Sequence, residues 1–260
     1  MPYLKINDLK IYYLDNKLGT TPILFIHGWL GNCLEWIYQF CYFNSKIHIV
    51  LIDLPGFGKS DKPKINYSID FFVNLIVDFL YLNNYNQVIL VGHSLGGMIA
   101  QSITTQHPKL VKKLILISTA GSAPQSMRNK LNLLFVRMIF KLGYRRFLKN
   151  ILKRILSTKE ESREFYKLYN NALNLPKSVV LNSFKNMTSK FRTSKNIVGI
   201  SQPTLILYGN EDKIISTSMI TKLGDLIPKS EVVIIKESSH RVMIEKHLKV
   251  NKKIESFISS

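Results

Sequence analysis

The sequence predicts an α/β protein: a mostly parallel β-sheet with helices on both faces and an inserted helical cap. Three observations carry this. Short, continuous, β-branched apolar runs recur along the chain, as strands buried on both faces require. Segments with helical spacing alternate with them. One strand-to-helix junction holds Gly92-His93-Ser94-Leu95-Gly96-Gly97, a Gly-x-Ser-x-Gly turn that the layout lifts to the edge of the sheet.

Each element follows from its local pattern. Leu4-Lys5-Ile6 and Lys10-Ile11-Tyr12-Tyr13-Leu14, joined through Asn7-Asp8, read as a hairpin. Pro22–Ile26 is a buried strand running into His27-Gly28-Trp29, and Ile47–Ile52 is another, ending at Asp53-Leu54-Pro55-Gly56-Phe57-Gly58. Ser68 to Asn83 is an amphipathic helix with Asn74 and Asp78 on its wet side. Strand Gln87–Val91 leads into the serine turn, and a helix follows as far as His107-Pro108. Strands at Leu114–Ile117, Thr204–Tyr208 and Glu231–Ile235 complete the sheet, and helices close the chain. No repeat or low-complexity segment appears.

The alternation breaks between about Ser122 and Ile197, where no strand is evident. Leu131, Leu134, Met138, Ile139 and Leu142, then Leu148, Ile151, Leu152 and Ile155, recur at helical spacing. Residues 122–197 are therefore expected to form a helical cap on a core of residues 1–121 and 198–260, over the sheet edge where open α/β folds place their sites. The segment holds 17 Lys or Arg against 3 acids, +14 of the formal +19. Arg137, Lys141, Arg145, Lys149 and Lys153 repeat every four positions, a spacing at which like charges repel. Plain solvation relieves that repulsion; so would an acidic carrier protein or an anionic membrane surface. Nucleic acid has only the net charge in its favour and no recognisable motif.

Other function classes fall away on composition. No run approaches the ~18 apolar residues of a membrane span, and the first residues lack a signal-peptide layout, so a cytoplasmic location is expected. Cys33 and Cys41 fit neither a metal site nor a disulfide framework; both are expected to be buried or half-buried thiols. No metal or cofactor is expected. Gly58-Lys59-Ser60 looks like the end of a phosphate-binding loop, but Asp53 stands where that loop needs its first glycine.

A serine hydroxyl is a weak nucleophile and needs a base held by an acid. Of the six histidines, His27, His48, His93, His107 and His247 lie in turns, strands or helices where a structural role fits them. His240 follows the last strand in a polar loop, Glu237-Ser238-Ser239-His240, which opens at the same sheet edge as Ser94. For the acid, Glu211 and Asp212 compete in the loop after the preceding strand. The order Ser, acid, His is the one this type of fold uses.

Four blocks, His27-Gly28-Trp29, Asp53 to Ser60, Gly92 to Gly97, and Asn210-Glu211-Asp212 with Ser239-His240, make the chain resemble the α/β-hydrolase superfamily, in its capped serine-hydrolase members. The resemblance implies Ser94 as nucleophile, His240 as base, Asp212 as acid, and an oxyanion hole from the backbone N–H groups of Trp29 and Leu95. It implies a small-molecule acyl ester as substrate. Relatives that open epoxides or remove halide use an elbow Asp, against which Ser94 argues. Carbon–carbon bond hydrolases of ring-cleavage products share the triad and the Asp53 block, but Arg241 and Trp29-Leu30-Gly31-Asn32 depart from their pattern, so that reading ranks second. A basic membrane-surface or ligand-binding protein on a hydrolase scaffold is the third.

Overall fold

Asn7 and Asp8 both take positive φ (45° and 67°), the backbone of a two-residue type I′ turn. They close the N-terminal hairpin of β1 (Tyr3–Ile6) and β2 (Leu9–Asp15), as expected. The computed structural model describes residues 2–122, 143–146, 148–150, 152, 163–190 and 197–260. The further strands are β3 (Ile23–Ile26), β4 (Ile49–Ile52), β5 (Val88–His93), β6 (Val111–Ile117), β7 (Thr204–Gly209) and β8 (Ser230–Ile235). They form one eight-stranded sheet in the order β1-β2-β4-β3-β5-β6-β7-β8. The pairs β1–β2 and β2–β4 are antiparallel; from β4 to β8 every pair is parallel.

The apolar runs are continuous because successive residues feed two different cores. Leu24, Ile26, Leu90, Leu114 and Leu116 face one, packed with α2 (Ile69–Leu82), α3 (Leu95–Gln106) and α6 (Thr217–Leu226). Phe25, Val91, Ile115 and Ile117 face the other, packed with α1 (Ile37–Phe43), α7 (Val242–Glu245) and α8 (His247–Ser259). Helix α2 starts where Ser68 accepts the Phe71 N–H at 3.1 Å, and ends in a Schellman turn with Asn84 at φ 57°. Asn74 is exposed and Asp78 half-exposed, the wet side read from the sequence.

Helices cover both faces of the sheet and thin out at its terminal strand β8, where Val233 packs into the second core and Val232 lies beside Gly224 of α6, while Val232 and Ile234 keep 40% and 53% exposure. One expectation changes. Cys33 is buried as expected, but Cys41 is exposed, on the outer side of α1. In the inserted segment the described residues include α4 (Arg163–Leu173) and α5 (Lys177–Lys190), and Leu148 and Leu152 are fully buried. Arg145 and Lys149 of the basic repeat are exposed. Arg137, Lys141 and Lys153, with Leu131, Leu134, Met138, Ile139, Leu142, Ile151 and Ile155, lie outside the described residues. No helix among the described residues is long and apolar enough to cross a membrane.

Candidate active site

Because β3 to β8 run parallel, the loops after them share one edge of the sheet. Four of these loops carry the residues singled out above. After β5 the chain turns so sharply that Ser94 sits at φ 50°, ψ −112°, a conformation that costs a non-glycine residue on the order of 1–3 kcal/mol. The neighbours hold it there. The Ser94 N–H donates to the Ile117 carbonyl at 3.0 Å, and the Thr119 hydroxyl donates to the Ser94 carbonyl at 2.8 Å. Glycine is required on both sides: a β-carbon on Gly92 would collide with the Gly96 carbonyl, and one on Gly96 with the Ile26 carbonyl. Leu95 then opens α3, so its N–H is one of the helix's free N-terminal donors.

The loop after β3 approaches the same point. A β-carbon on Gly28 would come within 3.4 Å of the Ser94 β-carbon. Among the described residues, neither the Trp29 nor the Leu95 backbone N–H has a hydrogen-bond acceptor. The Trp29 side chain is anchored in the inserted segment. Its indole N–H donates to the Ser183 hydroxyl of α5 at 2.9 Å, and its ring packs 5.1 Å from that of Phe184.

The loops after β7 and β8 bring Asp212 and His240 together, with His240 Nδ1 donating to Asp212 Oδ2 at 2.8 Å. The other Asp212 oxygen accepts the N–H groups of Ile214 (2.8 Å) and Ile215 (3.0 Å). Burial alone would raise the Asp212 pKa, but His240 and these two donors outweigh it and hold the carboxyl below its usual range. Glu211, the competing acid, is exposed. The Ser94 hydroxyl makes no hydrogen bond to any described residue.

The remaining histidines occupy structural positions. His27 Nε2 accepts the Leu54 N–H at 3.0 Å, which leaves its Nδ1 to donate to the Gly28 carbonyl at 2.7 Å. His48 bridges Asp15 and the Gly19 carbonyl, His107 ends α3, and His247 stacks on Tyr38 with ring centroids 4.3 Å apart. His93 is buried behind the elbow, its Nε2–H donating to the His240 carbonyl at 3.0 Å.

Sequence reasoning missed Glu35 and Arg241. Both are buried, and they are ion-paired at 3.4 Å beneath the site. The signal available was one acid inside an apolar turn, Cys33-Leu34-Glu35-Trp36, and one cation leading into Val242-Met243-Ile244. It also missed Ser183. No cluster of three or more metal-binding side chains occurs among the described residues.

A model of the alpha/beta hydrolase fold family matches residues 21–247. Epoxide hydrolase 3 of Mus musculus is 31% identical over 147 residues, a match covering 55% of this chain and 39% of that protein. The chain thus spans well under half the length of that relative. AB hydrolase superfamily protein YisY of Bacillus subtilis (strain 168) is 28% identical over 274 residues, 99% of each chain. Among solved structures, Est816, an N-acyl homoserine lactone degrading enzyme, matches with a TM-score of 0.85 at 25% identity, over 98% of this chain and 100% of that one.

Proposed function

The chain belongs to the alpha/beta hydrolase fold family, and on that premise we propose that it is a serine hydrolase cleaving carboxylic esters through an acyl-enzyme on Ser94. The observation that carries this reading is the 2.8 Å contact between His240 and Asp212, at the sheet edge where the strained turn presents Ser94. Asp212 fixes the imidazole with its Nδ1 protonated, which leaves Nε2 as the base. The hydrogen bond from the Ser94 hydroxyl to His240 Nε2 forms in the substrate complex.

In the first step His240 takes the hydroxyl proton while Ser94 Oγ bonds to the acyl carbon. The carbonyl oxygen becomes an oxyanion held by the Trp29 and Leu95 N–H groups. His240 then protonates the leaving alcohol as the C–O bond breaks. Water, deprotonated by the same imidazole, releases the acid.

A serine elbow separates this chemistry from epoxide opening. A carboxylate nucleophile attacking an epoxide gives an ester that water can cleave; a serine would give an ether, and turnover would stop. Lactones are cyclic esters, so the compound in the name of Est816 contains a bond of the proposed class. Residues 122–197 are read as a cap. The exposed Arg145, Arg146, Lys149, Lys167, Lys177 and Lys185 favour an acyl group delivered on an acidic carrier protein over one drawn from neutral lipid.

The test is burst kinetics with a chain-length panel of p-nitrophenyl esters. The wild-type chain is expected to release one equivalent of nitrophenol rapidly, and Ser94→Ala to abolish that burst. An undiminished burst in Ser94→Ala overturns the assignment.

A further inference from the structure

Glu35 is fully buried in an otherwise apolar turn, where an unpaired carboxylate would be prohibitively costly. Its partners lie on its own loop after β3, at the end of β5 and in the loop after β8. The Gly28 N–H lies 3.3 and 3.4 Å from its two oxygens, His93 Nδ1 lies against Oε1, and Arg241 Nη2 reaches Oε2 at 3.4 Å. Each partner is the chain neighbour of a group in the reaction above. Gly28 precedes Trp29, His93 precedes Ser94, and Arg241 follows His240. His93 also ties two of the loops directly through its bond to the His240 carbonyl at 3.0 Å.

We infer that Glu35, with His93 and Arg241, is a buried positioning clamp that holds the oxyanion loop, the nucleophile turn and the base loop in register; the inference rests on the acyl-enzyme reading of Ser94. Stability alone does not account for the arrangement. Desolvating two charges offsets most of what their attraction returns, and apolar residues of similar volume commonly do as well or better. Arg241 illustrates this cost: it is 2% exposed, and its Nε and Nη1 have no hydrogen-bond partner among the described residues. What the ion pair adds is direction. It fixes a residue beside His240 against one that also fixes Gly28 and His93, across 206 positions of sequence.

The experiment compares Glu35→Gln, Arg241→Met and the charge-balanced double variant, each titrated with a fluorophosphonate to count reactive serines. Each single change strands a buried partner and is expected to lower the melting temperature. In the double variant the melting temperature returns to near wild type. Its kcat for p-nitrophenyl acetate is nevertheless expected to stay about 10–100-fold low, with KM within about threefold of wild type, because register and not binding is lost. Recovery of wild-type kcat together with stability makes the cluster merely structural and overturns the clamp. If the double variant does not fold, Arg241→Lys decides: it keeps the charge but not the reach, and unchanged kcat overturns the clamp. A wild-type chain that fluorophosphonate does not label overturns the acyl-enzyme reading itself, whereas an unimpaired double variant overturns the clamp alone.

Discussion

Asp53 and Asp212 are the same residue type at the same edge of one sheet, after β4 and β7, and their surroundings give them opposite tasks. Asp53 is 2% exposed, and both of its oxygens accept backbone N–H groups, Cys33 on Oδ1 at 2.6 Å and Lys59 on Oδ2 at 2.7 Å. Its own carbonyl accepts the Ser60 hydroxyl at 2.6 Å, and that hydroxyl oxygen in turn accepts the Tyr12 N–H at 2.9 Å. The carboxylate is a knot tying two loops and the edge hairpin. Asp212 uses one oxygen in the same way, on Ile214 and Ile215, and keeps the other for His240. One oxygen left for an imidazole is the difference between a structural carboxylate and one that, in the proposed reaction, serves a base.

That difference can be broken from either side, and the larger effect is at Asp212. Asp212→Asn keeps an acceptor for the two backbone donors but stabilises the wrong imidazole tautomer. It is expected to lower kcat by about 10⁴-fold while leaving the urea midpoint nearly unchanged. Stopped-flow ester hydrolysis beside urea unfolding checks both halves. A loss of stability as large as the loss of rate would make Asp212 another knot and erase the contrast.

Asp53→Ala should behave in reverse. Two buried N–H groups lose a charged acceptor, and unfolding free energy is expected to fall by about 2–4 kcal/mol. The rate per fluorophosphonate-titrated serine should stay near wild type. A collapse of that rate at a temperature where the variant is folded would place Asp53 in the chemistry.

Much of this contrast is legible in the sequence, and the rest is hidden for a physical reason. Ser94 announces itself because a sharp strand-to-helix turn needs glycines at fixed local offsets, and β-branched runs mark the strands around it. Chain order and strand ends bring His240 and the pair Glu211-Asp212 to one edge, and only the resemblance to a family chooses Asp212 of the two. Local sequence cannot show which partner a buried group meets. Glu35 meets Arg241 across 206 positions, and Trp29 meets Ser183 across 154. Arg241 was legible only as a departure from the pattern of carbon–carbon bond hydrolases, not as a charge buried beneath the site.

Acid sharpens the comparison next. Burial would raise the Glu35 carboxyl, but His93 and Arg241 beside it hold it down to about 2 from an ordinary 4.5. Asp212 is likewise held below 3.8. In both carboxyls the unfolded chain binds protons that the folded chain does not. Their contribution to stability is therefore complete above the ordinary carboxylate values and is lost as pH falls below about 4.5. Urea midpoints followed by tryptophan fluorescence should hold steady down to about pH 5 and decline from there to pH 3.5. A flat profile would mean that the cluster beneath the site is not held in the charge states the geometry requires.

The smallest effect is expected where the inserted segment touches the core. Ser183 accepts the Trp29 indole N–H at 2.9 Å and donates to the Val179 carbonyl at 2.7 Å, so it joins α5 to the loop that carries the Trp29 backbone donor. Ser183→Ala leaves a buried indole N–H unpaired, at about 1–3 kcal/mol. Part of that cost can be relieved locally by movement of Trp29, because the loop is tied down independently at Gly28 and at Gly31, whose N–H donates to the Gly28 carbonyl at 3.0 Å. A modest drop in melting temperature is therefore expected, with kcat/KM for short p-nitrophenyl esters falling about two- to fivefold, a transition-state loss of about 0.4–1 kcal/mol. The same measurement with long-chain esters separates two roles for α5. An equal loss across chain lengths marks Ser183 as a support for the oxyanion donor, whereas a loss confined to long chains makes the Trp29–Phe184 contact a wall of the acyl pocket.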